Sequence, residues 1–123
     1  MKKKNPNTEL PNLPGYSGVS FKKPLIQKHL DIYIGHITKK DNALLIEACK
    51  ADTENPVIAY DYEYGYIVIC GPNLTDSNLK SFKKYGYSKN FIAILDRAQK
   101  FGCVEAHFDC DGAQYDDLEI FSW

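Results

Sequence analysis

Three short strings in this chain combine residue types and spacings that could do chemistry. F-D-C-D-G, residues 108–112, places Asp109 and Asp111 at i and i+2 behind a strand-like run. Hard carboxylate oxygens so placed can take a divalent cation, which makes these two residues the metal candidates. H-I-T, residues 36–38, contributes His36, and His107 lies on a later strand-like run. Two imidazoles facing one cleft could deprotonate an attacking hydroxyl and protonate a leaving oxygen, so His36 and His107 are the catalytic candidates. Y-D-Y-E-Y-G-Y, residues 60–66, alternates tyrosine with Asp61, Glu63 and Gly65. Tyr60, Tyr62 and Tyr64 among carboxylates suit a protein-binding surface, where tyrosine is enriched.

Each string also has a plainer reading. F-D-C-D-G resembles the D-x-D nucleophile site of haloacid-dehalogenase-type phosphatases, but that site needs a large doubly wound domain behind it, and eleven residues follow Gly112. A calcium loop would need a third oxygen ligand ahead of the glycine, which is missing. The simpler expectation is a hairpin turn in which Asp and Gly supply positive φ and Asp109 accepts local backbone bonds. H-I-T resembles one half of the two-histidine phosphoesterase motif. Around His107, however, the string is H-F-D, with Asp109 where a hydroxyl residue should stand, and helix capping alone accounts for Thr38. Cross-strand packing would explain the tyrosines equally well. Cys49, Cys70, Cys103 and Cys110 have no C-x-x-C spacing and no glycine-rich elbow, so nucleophilic catalysis has little support.

Composition sets the bounds. A chain of 123 residues with 44% hydrophobic content suits one domain around one core. No apolar run approaches the ~20 residues that a bilayer span needs. Lys2, Lys3 and Lys4 are not followed by the hydrophobic stretch of a signal peptide. Reduced thiols, a cytoplasmic location and no cofactor are therefore expected. The net charge of −1 hides a polarity: residues 1–50 carry nine Lys and four acids, whereas residues 51–123 carry twelve acids against five Lys and one Arg. Such an asymmetry allows one basic and one acidic surface, and an ordinary solvated surface is the plainer reading; a protein partner is expected, and nucleic acid and membrane are not. Lys80, Lys83, Lys84 and Lys89 read as a solvated face.

The patterning predicts how these residues are positioned. Residues 1–24, with Pro6, Pro11, Pro14 and Pro24, read as an extended arm, and 25–123 as a single α+β domain. Strands are expected at 30–36, 57–62, 66–70, 104–109 and 118–123. Helices are expected at 39–51, capped by Thr38, and at 89–101, capped by Ser88 and closed by Gly102. The polar connection 73–87 holds at most one helical turn. The order βαββαββ implies one sheet of about five strands with two helices on a face, a ferredoxin-like core with an added C-terminal strand. A domain closing on its only tryptophan implies a packed tail that displays Asp116, Asp117 and Glu119 outward.

"IGHIT", "YEYGYIVIC" and "ILDRAQKFGCVEAHFDCDGAQYDDLEIFSW" together resemble a family of small bacterial proteins of unknown function carried on plasmids, integrative elements and prophages. Members show "stgHlT", "yGwfvyv" and an ending like "fDrDGxxxdxLpxydW". The resemblance covers roughly residues 30–123, and His36, Thr38, Gly65, Tyr66, Asp109, Asp111, Gly112, Leu118 and Trp123 match. Cys110 departs from the usual basic residue, and Phe121-Ser122 from an acidic or aromatic pair. The resemblance implies a mobile-element accessory protein that modulates a host defence or nucleic-acid-processing protein. On this reading the chain is an interaction protein, and Tyr60, Tyr62, Tyr64, Asp109, Asp111, Asp116, Asp117 and Glu119 form its binding surface. The alternative is a metal-dependent or two-histidine phosphoesterase using His36, His107, Asp109 and Asp111.

Overall fold

Alternating apolar and polar residues build four strands in the computed structural model, which describes residues 23–123. They are β1 (Lys28–Tyr33), β2 (Ala59–Tyr62), β3 (Gly65–Ile69) and β4 (Cys103–Asp109). The sheet order is β1-β4-β3-β2, with β1 parallel to β4 and the other pairs antiparallel. The last strand is thus internal and the first lies at the edge, the reverse of their places in the expected ferredoxin-like core. Leu30, Ile32, Ala106, Phe108, Tyr66, Val68 and Ala59 share one face by register and period-2 alternation.

Three helices pack on that face. α1 (Lys39–Ala48) has the expected Thr38 cap, completed by Asp41: Asp41 N–H donates to Thr38 Oγ1, and Thr38 N–H donates to Asp41 Oδ2. It stops short of residue 51 and buries Leu45, while Ile46 is half exposed. α3 (Lys89–Lys100) matches the expectation and buries Phe91, Ile94, Leu95 and Ala98. The connection expected to hold one turn instead forms α2 (Asp76–Tyr85). A Thr75–Asn78 capping box starts it, and Leu79 and Phe82 alone anchor it in the core. Two apolar residues in a lysine-rich segment make a faint periodic signal, although T-x-x-N is a readable start.

Asp41, fully buried, ties two helix starts together. Besides Thr38 it accepts the Ser88 N–H at 2.8 Å and the Ser88 hydroxyl at 2.5 Å, while Ser88 Oγ caps α3 by accepting from Phe91 N–H. Aromatic rings then run from Tyr87 over Phe91 to Phe108, with centroids 4.4 and 5.7 Å apart. Fully burying one such ring contributes about 1.5–3 kcal/mol.

The fifth strand expected at 118–123 does not form. Residues 113–123 leave β4 through the Asp111-Gly112 turn and cross the edge of β1, where Tyr33 N–H donates to Ala113 O and Phe121 N–H to Gly35 O. Gly112 does not take positive φ as expected for a hairpin turn. It is needed for close approach instead: a Cβ there would lie 2.3 Å from Ile32 O. Gly65 is constrained twice, by φ 157° and by a would-be Cβ contact of 1.8 Å with Phe108 O. The first strand also ends early, and Ile34–His36 form a 3-10 turn, so His36 leaves the sheet. The expected arm at 1–24 lies outside the described residues except for its last two. Among the described residues no helix is long and apolar enough to cross a membrane, and all four cysteines are free.

Replacing Gly112 with Ala therefore forces backbone apart at the β1 edge, and overpacking of this kind costs about 1–3 kcal/mol. A thermal midpoint at least about 5 °C lower is expected; an unchanged midpoint would contradict the close approach.

Candidate functional site

The second face of the sheet carries no helix among the described residues. Register arranges its side chains in three rows that cross all four strands. Ile69, Glu105 and His29 form one row, extended by Ile58, whose carbonyl accepts from Ile69 N–H. Tyr60, Ile67, His107 and Asp31 form the next, and Tyr62, Gly65, Asp109 and Tyr33 the third. The β2–β3 half is thus apolar and aromatic, whereas the β4–β1 half is titratable. Ile58 and Tyr60 are each 59% exposed, a large amount for residues of this type within a sheet. No Lys or Arg appears in the three rows.

Hydrogen bonds order the titratable half. Tyr62 hydroxyl donates to Asp109 Oδ2 at 2.6 Å, and Asp111 N–H donates to Asp109 Oδ1 at 2.7 Å. These two donors, the tyrosine first, hold the Asp109 carboxyl below the usual carboxylate range. Burial, and then the same bond, push the Tyr62 hydroxyl up. His107 donates from Nε2 to Glu105 Oε1 at 2.8 Å, and its ring stacks on His29 with centroids 3.8 Å apart and planes 9° from parallel. Imidazole lone pairs lie in the ring plane, so rings stacked this way point side by side and do not converge on one ion.

The two catalytic candidates are not brought together. His107 sits on the open face, while His36 is buried beneath the tail at 1% exposure. Its Nε2 accepts the Tyr115 N–H at 3.1 Å, so that nitrogen carries the lone pair. Its Nδ1 donates to Glu119 O at 2.8 Å. One donor and one acceptor are all a neutral imidazole has, and both are occupied by backbone. Thr38, the other half of H-I-T, caps α1 as expected.

The metal candidates do come together. Ligand atoms of Asp109, Cys110 and Asp111 all lie within 4.8 Å of one another. Both Asp109 oxygens are already accepting, however, from the Tyr62 hydroxyl and the Asp111 N–H, and desolvation followed by Asp111 and Asp109 raises the Cys110 thiol. Tyr64 stands at the hairpin tip, edge-on to Tyr62. Asp116 and Glu119 are exposed; Asp117 is paired bidentately with Arg97, at 2.5 and 3.3 Å, and lies below its ordinary range for that reason first. Trp123 anchors the tail by donating from its indole to Ile37 O at 2.9 Å.

Sequence reasoning missed His29, Asp31, Glu105 and Ile67 as members of the face. Their alternation was readable, but which strands lie side by side was not, and the His29–His107 stack depends on β1 pairing with β4.

These features define an α+β protein with helices on one side of a four-stranded mixed sheet and an open, tyrosine- and acid-bearing side opposite. The chain belongs to the family described as family of unknown function (DUF5983), C-terminal domain, whose model matches residues 29–123. Comparison with the curated proteins and with the solved structures gives no match.

Two outcomes follow. His36→Ala leaves Tyr115 N–H and Glu119 C=O without partners, each costing about 1–3 kcal/mol. Amide exchange at Tyr115 and Phe121 should quicken while the core of β4 stays protected; unchanged protection of the tail would contradict the clamp. For Asp109, a carboxyl lowered by folding contributes stability that is complete above the ordinary carboxylate value of about 3.9 and is lost as pH falls through its folded value. Tyr62→Phe should return the Asp109 carboxyl, followed by carbon-13 NMR, towards that ordinary value; no movement would show that the tyrosine does not hold it.

Proposed function

We propose that this protein is a small cytoplasmic interaction module, without catalytic activity of its own, that docks a basic surface of a protein partner on its open sheet face. The observation that carries this reading is the composition of that face: exposed Ile58 and Tyr60 beside Ile67 and Tyr62, bordered by Asp31, Glu105 and Asp109, with no Lys or Arg among the three rows. Rigid tyrosines beside aliphatic side chains give contact area at small entropic cost, and the acids around them speed encounter with a positive surface. The Asp109–Asp111 turn and Tyr64 extend the same surface at one end of the sheet. Asp116 and Glu119 lie on the tail, and Asp117 is drawn into its pair with Arg97.

A face bearing acids and no Lys or Arg repels phosphate backbones, so nucleic acid is not the ligand we favour. A protein that itself handles nucleic acid presents the complementary charge. The resemblance to proteins of plasmids, integrative elements and prophages supports a partner from host defence or nucleic-acid processing. The phosphoesterase reading draws no support from His36, whose two nitrogens hold the tail.

The test is quantitative binding to a partner obtained with the wild-type protein and then purified. Tyr60→Arg and Asp111→Lys should each weaken binding at least about tenfold, and raising ionic strength should slow association. Both variants binding as tightly as wild type, or binding that does not respond to salt, would refute the reading.

A further inference from the structure

Beside the open face, where the sheet meets α1, lies a cleft of about 420 Å³ that the tyrosine-and-acid face does not account for. Ile46 of α1, Tyr66 of β3 and Trp123 contribute apolar wall, Asp61 and Glu63 of the β2–β3 hairpin contribute charge, and Tyr62 is shared with the open face. Among the described residues no Lys, Arg or His lines it. Trp123 is held at its indole N–H by Ile37 O, yet it remains 48% exposed, and Ile46 is 50% exposed. The cleft therefore presents a fixed aromatic surface, a second ring and two carboxylates, with no cation of the described residues in its lining. Burial, and then Asp61, raise the Cys49 thiol at the cleft's edge.

We infer that this cleft receives an arginine side chain from the basic partner, its guanidinium lying against Trp123 and Tyr66 and pairing with Asp61 or Glu63. A planar, delocalised guanidinium is weakly hydrated, stacks on aromatic rings and pairs with carboxylates through two parallel N–H bonds. An ammonium is a compact, strongly hydrated point charge and uses the aromatic walls less well. This inference rests on the proposal of a basic protein partner and specifies one anchor of that partner.

Trp123 is the only tryptophan of the chain, so its emission reports occupancy of the cleft directly. The full chain is titrated with the acetylated peptide Gly-Arg-Gly-Arg-Gly and with its lysine and citrulline counterparts. Citrulline keeps the planar shape and removes the charge. A saturable change in Trp123 emission is expected with the arginine peptide, at least tenfold weaker with citrulline and weaker with lysine. The Asp61→Asn/Glu63→Gln double variant should lose at least tenfold in affinity with an unchanged thermal midpoint, since both side chains are exposed. No saturable change, equal affinity for all three peptides, or an unaffected double variant would overturn the inference. Tyr60→Arg and Asp111→Lys lie outside the lining of the cleft. Partner binding that survives the Asp61/Glu63 changes but not those two would sink the cleft alone; the reverse would sink the open face and leave the cleft standing.

Discussion

The imidazole of His36 is the point on which the arrangement of this molecule depends. It sits in a 3-10 turn just beyond β1, fully enclosed, with its proton directed at Glu119 O and its lone pair at Tyr115 N–H. A side chain with one donor and one acceptor is thereby matched to two backbone groups of a segment about eighty residues away in sequence. Tyr115 adds a hydroxyl bond to Asp31 O, the Arg97 guanidinium rests over the Tyr115 ring at 5.8 Å, and Trp123 closes the end on Ile37 O. The tail carries no repeating backbone ladder of its own, so these side-chain contacts do for it what strand pairing does for β4. Among the described residues no buried side-chain polar atom lacks a partner, which is the condition under which such a network strengthens a fold.

From that clamp the division of surfaces follows. The helices close one side of the sheet through the Tyr87–Phe91–Phe108 stack and the Asp41 carboxylate that joins the starts of α1 and α3. The tail closes the outer edge of β1 and the mouth of the 3-10 turn. Among the described residues the remaining side of the sheet carries no helix, and it is there that the chain places Ile58, Tyr60 and Ile67 next to a belt of acids. Residues that looked reactive in sequence are sorted by the same division: His36 goes to structure, Asp109 is held by Tyr62, and His107, partly buried, stacks on His29.

Much of this was legible in the residues themselves. The helix at 89–100, its Ser88 cap and Gly102 stop, the Thr38 cap and the packing of the tail are all local or compositional signals. The α+β class follows from the interspersed helices and strands. Strand order was not legible, because the alternation that marks β1 and β4 as strands says nothing about which neighbours they take. A terminal strand at 118–123 was a reasonable reading of L-E-I-F-S-W, but the segment makes isolated bonds, Phe121 N–H to Gly35 O and the Trp123 indole to Ile37 O, instead of a strand ladder. α2 escaped because its core contribution is only Leu79 and Phe82. His36 looked like a general base for the reason that makes it a good clamp: an imidazole offers one donor and one acceptor, and sequence cannot say what faces them.

The most direct test of this account is the tautomer of His36, read from two-bond nitrogen–proton NMR correlations of its ring in the folded chain. The account predicts a proton on Nδ1, slow to exchange with water, and an unprotonated Nε2 accepting from Tyr115. A proton on Nε2, or a ring exchanging freely with solvent, would contradict it and would return His36 to the list of groups available for chemistry.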